Sequence, residues 1–475
     1  MKKFVTTLKV IAAILLIAIP FAIIPITVYL IPSQYDNTFV GALDEKIERL
    51  QSIDEPKIVI VGGSSVAFGI DSALIEKYTG MPVVNFGLYA ALGTKLMLDL
   101  SAPFINEGDI VILAPELDAE TLSLYFSAGN TLRALDGNFD YLSYLPEEHH
   151  LSLMGQSFAF TFEKLEYLLR GTPDPEGVYN GKNFNEYGDL VYTRTENKMD
   201  VYYDENNMIE LDKSIVSDDF VDYLNAYIHA AEDKGAKVWY SFCPMNEMGI
   251  KGGVDYERAF EFSDYLEERI DADFISYIDY YILPAGYFYD TNFHLNEAGV
   301  RAHTVNLIWD ILLKMESAVW VDEEVPQPPA LPEIDVKYFG EDENAKYFNY
   351  TKMQNGALLI TGVKDEYKSM TELTVPLGAD GYKVMQIGYG AFADTALETL
   401  IVTEDTNLTK FATGAFSGAE NLKSLKIYYP VAENLLPPPD FYGVASGFTV
   451  YIPEGSNYRD DYYWRELGLT FAYLE

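Results

Sequence analysis

The chain has 475 residues, enough for two or three domains with sizeable cores, and a hydrophobic content of 49% with 14% aromatic residues excludes a disordered chain. Its 73 Asp and Glu against 33 Lys and Arg leave a formal net charge of −40. That argues against a nucleic-acid partner, whose phosphates demand a basic footprint, and against charge-driven docking on anionic lipid. An acidic surface of this kind serves mainly solubility and mutual repulsion.

The N-terminus carries the first element. Val10 to Ile31 run without a charge for 22 residues, behind Lys2, Lys3 and Lys9. As a helix this run spans about 33 Å, enough to cross the hydrocarbon core of a bilayer. The chain continues Pro32-Ser33-Gln34-Tyr35-Asp36 with no small-x-small cleavage site, so an uncleaved transmembrane helix is expected rather than a signal peptide. Lysines before the run and Asp36, Asp44 and Glu45 after it put the N-terminus inside and the bulk of the chain outside the cytoplasm. Residues 1–33 are thus read as cytoplasmic stub and anchor.

From residue 57, short β-branched runs at 57–61, 82–86, 109–114 and 237–242 alternate with amphipathic stretches such as Ser72–Tyr78 and Asp219–Lys234. This alternation predicts an α/β domain, a parallel sheet flanked by helices, over roughly residues 50–318. In such sheets ligands bind at the carboxyl ends of the strands. The first run ends in Gly62-Gly63-Ser64-Ser65, a Gly-rich turn carrying hydroxyls, and the second in Asn85-Phe86-Gly87. The third leads into Pro115-Glu116-Leu117. Residues 119–215 break the rhythm with Tyr-, Asn-, Asp- and Gly-rich sequence, an insertion expected to roof the strand ends and suited to sugar rings or to simple aromatic packing. The single cysteine, Cys243, sits at the end of a strand-like run and reads as a small buried hydrophobe; no CxxC or HExxH spacing points to a metal.

The chain has only five histidines, and one of them follows an aspartate closely in Asp290-Thr291-Asn292-Phe293-His294, just before a helical stretch. A serine needs a base to become a nucleophile, and an imidazole base is best oriented by a carboxylate. Ser64 and His294 with Asp290 are therefore the candidate nucleophile, base and orienting acid. Ser65 competes with Ser64 for the first place, and both serines also suit the cap of a following helix.

These blocks resemble the SGNH (GDSL-type) hydrolases across residues 55–315. Gly62-Gly63-Ser64 stands where that family has Gly-Asp-Ser, and the run through Gly69-Ile70-Asp71-Ser72 is similar to its membrane-anchored, envelope-modifying members. The resemblance implies a three-layer, flavodoxin-like fold, an oxyanion held by backbone amides near Ser64 and at Gly87, with Gly63 and Asn85 beside it, and no metal or organic cofactor. Two features depart from the family pattern. Three residues rather than two separate Asp290 from His294, and Pro115-Glu116-Leu117 stands where a Gly-x-Asn-Asp block is usual.

A Pro-rich linker, Val321-Asp322-Glu323-Glu324-Val325-Pro326-Gln327-Pro328-Pro329-Ala330-Leu331-Pro332, ends this region, and residues 319–335 are read as a semi-rigid tether. Over 340–475 the sequence repeats. Gly390-Ala391-Phe392 recurs as Gly414-Ala415-Phe416, and Leu397, Leu400 and Val402 are echoed by Leu422, Leu425 and Ile427. A weaker copy includes Leu373-Thr374-Val375-Pro376. Such periods predict a β-rich leucine-rich-repeat solenoid, and its Gly-Ala-Phe turns resemble the BspA-like repeats of bacterial surface proteins.

Together these readings lead to the expectation of a cell-membrane protein, single-pass, with an extracytoplasmic serine esterase or acyltransferase domain. Its substrate would be O-acyl, chiefly O-acetyl, groups of an envelope glycan, or it would serve teichoic-acid D-alanylation, where an SGNH-type component has a similar anchor. The alternative is a catalytically inactive surface protein whose repeats bind a protein or glycan.

Overall fold

A computed structural model describes residues 27–474 except 29, 200, 333–334, 354–355, 413 and 439–440. The chain divides into two compact units, residues 1–331 and 332–475. The expected membrane helix falls almost wholly outside the described residues. Among the described residues, no helix is long and apolar enough to cross a membrane.

The first unit is α/β. In chain order it places α1 (Leu43–Ser52), β1 (Ile58–Gly62), α2 (Ser64–Gly69), α3 (Ser72–Thr79), β2 (Val83–Gly87), α4 (Thr94–Ser101) and β3 (Ile110–Ala114). There follow α5 (Ala128–Ala134), α6 (Glu147–Arg170), α7 (Asp218–Asp233), β4 (Lys237–Tyr240), α8 (Tyr256–Glu267), β5 (Asp273–Phe274) and α9 (Glu297–Lys314). The five strands form one parallel sheet in the order β2-β1-β3-β4-β5. The order reverses at β1, so the gap between the carboxyl ends of β1 and β3 is the topological switch point where open α/β sheets bind ligands.

The β-branched runs make this sheet because its central strands β1 and β3 and the neighbouring β2 are buried on both faces. Val59, Val61, Val84, Phe86, Val111 and Leu113 enter one core, packed by α1, α4 and α7. Their neighbours Ile58, Ile60, Val83, Ile110 and Ile112 enter a second core with Leu74 and Ile75 of α3 and Ile308, Ile311 and Leu312 of α9. Period-2 alternation thus serves two apolar faces rather than one, and each fully buried Val or Ile contributes about 1.5–3 kcal/mol. Ends are set locally: Asp71 caps α3 by accepting from the Leu74 amide, and Gly80 closes it in the left-handed conformation at φ 69°.

The domain is larger than the expected 50–318. Tyr35, Phe39, Leu43, Ile47 and Leu50 are buried in its first core, because α1 covers a sheet face that would otherwise be wet. At the other end the Pro-rich segment is no free tether. Val321 is buried, Glu323 pairs with Lys77 and Arg301, and Tyr287 Oη donates to Pro326 O at 2.7 Å. The inserted region contains α6, a 24-residue helix whose inner face buries Leu153, Phe160 and Lys164.

The second unit is strand-rich. Strands Glu372–Thr374, Thr399–Val402, Ser424–Ile427, Thr449–Ile452 and Thr470–Tyr473 stack as one parallel ladder. The repeat spacing is realised as register: Leu373 pairs with Leu400, Leu400 with Leu425, and Leu425 with Val450, all buried. Phe392 stacks on Phe416 at 5.7 Å, and Gly390 and Gly414, which begin the two Gly-Ala-Phe turns, both take left-handed backbone at φ 60° and 65°, which only glycine adopts without strain. The core of this unit shares no residue with those of the first. Residues 332–475 expressed alone are therefore expected to melt in one cooperative transition; a broad, non-cooperative calorimetric trace would count against an independent unit.

Candidate active site

Ser64 opens α2 directly after β1, with Gly62 and Gly63 forming the tight exit. Both are crowded. A Cβ at Gly62 would lie 2.5 Å from Ala114 O, and one at Gly63 2.8 Å from Glu116 Oε1. Two tethers from α9 fix the far end of α2: His303 Nδ1 lies 2.7 Å from Gly69 O, and the Asp71 amide donates to Thr304 Oγ1 at 3.0 Å. Burial holds the His303 pKa down at about 4, so the ring stays a neutral donor.

Asp290 and His294 lie on the two arms of a tight hairpin. Phe288 and Leu295 bridge antiparallel, the Tyr289 amide donates to His294 O at 2.8 Å, and Thr291 Oγ1 accepts from the amides of Phe293 and His294 at 3.2 and 3.1 Å. Asn292 pins the tip from outside, exchanging bonds with the backbone of Asp204 at 2.8 and 2.7 Å and donating to Asn207 O at 2.8 Å. The extra residue between Asp290 and His294 is absorbed in this turn. The result is a continuous chain: Ser64 Oγ to His294 Nε2 at 2.8 Å, and His294 Nδ1 to Asp290 Oδ1 at 2.8 Å.

The surroundings hold this chain rigid. The Phe68 ring, one turn after Ser64 on α2, stacks on the His294 imidazole at 3.8 Å and 7°. Tyr179 Oη donates to Asp290 Oδ2 at 2.7 Å. Arg194, buried and aimed at backbone, donates to the carbonyls of Leu295, Leu190 and Phe68 at 3.0, 3.2 and 3.3 Å, clamping α2 to the hairpin. Burial raises the Asp290 pKa, but His294, the Tyr179 hydroxyl and Arg194 more than offset this and hold the carboxyl below its ordinary value. It is an anion beside the imidazole, as an orienting acid must be.

Of the two serines, Ser64 faces the imidazole. Ser65 is fully buried, and among the described residues its Oγ has no hydrogen-bond partner. Of the groups expected at the oxyanion, Gly87 and Asn85 hydrogen-bond within the fold. The Gly87 amide donates to Asn85 Oδ1 at 3.2 Å, and Asn85 Nδ2 donates to Val66 O at 3.0 Å and to Asp189 Oδ1 at 2.8 Å. Asn85 is a buried brace between β2, α2 and the inserted region, and Gly87 is the bed on which Val66 rests. Gly63 lies against Glu116, whose Oε1 sits 3.0 Å from Ser64 Oγ and accepts from the Ser65 amide at 2.7 Å.

Glu116, Tyr179, Phe68 and Arg194 are functional neighbours that pattern reading leaves unassigned. Only the block position of Pro115-Glu116 and the Tyr-rich texture around Tyr179 signal them in sequence. Cys243 is buried, with its thiol raised well above the ordinary range by desolvation, and so stays protonated. Among the described residues no group of three His, Cys, Asp or Glu is placed to hold a metal ion. Chemically, the arrangement can take a proton from Ser64 and return it to a departing group. No family model matches the chain, and no curated protein or solved structure is significantly similar to it.

Proposed function

We propose that the protein is a membrane-anchored, extracytoplasmic serine esterase or O-acyltransferase of the SGNH type, acting on O-acetyl groups of an envelope polysaccharide. The observation that carries this reading is the unbroken hydrogen-bond chain Ser64–His294–Asp290 at the switch point of a parallel sheet. Ser64 attacks the acyl carbon while His294 Nε2 takes its proton. His294 then protonates the departing alkoxide, Asp290 steadies the imidazolium, and water or a sugar hydroxyl accepts the acyl group in the second half-reaction.

Two further observations support the remaining parts of the reading. On α6 the side chains of Leu151, Met154, Phe162, Leu165 and Leu169, spaced by three, eight, three and four residues along one helix face, are exposed. On the same helix Lys164 donates to the carbonyls of Val28 and Ile31, where the apolar N-terminal run ends, at 3.2 and 2.8 Å. An apolar outer face beside the exit of an apolar segment fits a domain resting on a bilayer. In the second unit, one parallel strand per repeat with stacked leucines fits a leucine-rich solenoid that binds envelope glycan or protein.

The test uses membranes washed with alkaline carbonate. Retention of the full chain and release of acetate from a small acetyl ester or an O-acetylated polysaccharide are expected, with transfer read as acetate moved to an added sugar acceptor. A chain found in the wash defeats the anchor, and membranes that neither hydrolyse nor transfer defeat the enzyme.

A further inference from the structure

Ser64 Oγ carries one proton and has two acceptors, His294 Nε2 at 2.8 Å and Glu116 Oε1 at 3.0 Å. A hydroxyl has a single donor, so these two bonds cannot both be donated by Ser64. If Glu116 is ionised, it draws the proton away from the base and sets a negative charge beside the carbonyl oxygen that must itself become negative. If Glu116 is a carboxylic acid, its own O–H donates and leaves the serine proton for His294. The geometry reinforces the second state. Glu116 leaves the end of β3, across the switch point from Ser64, and is buried. No Lys or Arg pairs with it among the described residues. The charged and titratable groups that face it are Asp118 on its own loop, His294 on the hairpin and Cys243 after β4. Desolvation and Asp118 push its pKa up, and His294 with the bonds from Ser65 and Ser64 only partly offset this.

We infer that Glu116 is a catalytic residue that works as a neutral acid, donating a hydrogen bond to the acyl oxygen as Ser64 attacks, in the place where Asn85 and Gly87 were expected to serve. The inference rests on the ester-chemistry reading above. As the Ser64 Oγ–carbon bond forms, the carbonyl π pair moves onto the acyl oxygen, the serine proton passes to His294, and the Glu116 proton is shared with the new oxyanion. On collapse the pair returns, the alkoxide departs with the proton from His294, and Glu116 keeps its own. A buried acid kept neutral to serve as such a donor is an established device of enzyme sites.

The sign of the pH dependence follows. The active form has Glu116 protonated, so the rate is lost as pH rises through its raised pKa, by about tenfold per pH unit beyond it. A fluorophosphonate supplies the test without the natural substrate: Ser64 attacks phosphorus, fluoride leaves, and the charged phosphoryl oxygens need the same donor. The full chain in detergent is labelled from pH 5 to 10. The wild type is expected to label along a bell, falling on the alkaline side. Glu116→Gln is expected to lose the alkaline fall, since an amide N–H donates at every pH. Glu116→Ala should label about 10²–10³-fold more slowly than Glu116→Gln, the cost of one missing oxyanion donor. Melting curves of both variants exclude unfolding as the cause. An unchanged alkaline limb in Glu116→Gln, or equal rates for the Gln and Ala variants, overturns the role of Glu116. Labelling that persists in Ser64→Ala, or is absent from the wild type at every pH, instead overturns the nucleophile on which it depends.

Discussion

Ser64→Ala is expected to lower turnover of a small acetyl ester by about four to six orders of magnitude, because a triad acts as a unit and the remaining members cannot substitute for the nucleophile. His294→Ala should lose about as much, since its Nε2 at 2.8 Å from Ser64 Oγ is the imidazole nitrogen in contact with the serine. Asp290→Ala should lose less, on the order of 10²–10⁴-fold. Phe68 stacked on the ring would still hold part of the imidazole orientation that Asp290 supplies. Ser65→Ala should be nearly silent in the same assay, because that hydroxyl is buried and makes no hydrogen bond to the base. Initial rates over the uncatalysed background measure all four. If Ser64→Ala retains wild-type turnover the proposed chemistry fails outright; if Ser65→Ala is the inactive one, the register is wrong by one residue.

Gly87→Ala should be as damaging to the fold as Ser64→Ala is to the chemistry. A Cβ there would lie 2.4 Å from Val66 Cβ and 2.7 Å from Gly63 O. Neither neighbour can yield: Val66 is a buried β-branched residue in the first turn of α2, and Gly63 is the backbone of the turn that presents Ser64. Forcing them apart should cost about 3 kcal/mol or more and shift α2 against the hairpin. Gly155→Ala is the control. It lies inside α6 with nothing within 4 Å of the added methyl, and should gain about 0.5–1 kcal/mol from helix propensity alone. Chemical denaturation of the two variants measures both effects. Wild-type stability in Gly87→Ala would show that β2 and α2 are not packed as described.

The strands and the repeats were legible in sequence because their signal is local. A β-branched run such as Lys57–Val61 has few places to go but a sheet interior, and leucines recurring from Leu400 to Leu425 have few partners but each other. Ser64, Asp290 and His294 could be named for the same reason, since a hydroxyl after a strand and a carboxylate beside an imidazole are chemistry written in neighbouring residues. Counting from the strand end favours Ser64 over Ser65, but successive residues on a helix point about 100° apart, and only the placement of α2 against the hairpin decides which faces the base. The extra residue between Asp290 and His294 departs from the expected spacing, and Thr291 and Asn292 fold it into the turn. A sequence does not tell where an amide points; only the tertiary structure ties Asn85 to Val66 and Asp189 and the Gly87 amide to Asn85. Glu116, Tyr179 and Arg194 reach the site from loops distant in sequence. The chain order holds no record of which loops converge, since that is fixed by the strand order of the sheet and by the way the inserted region packs onto it.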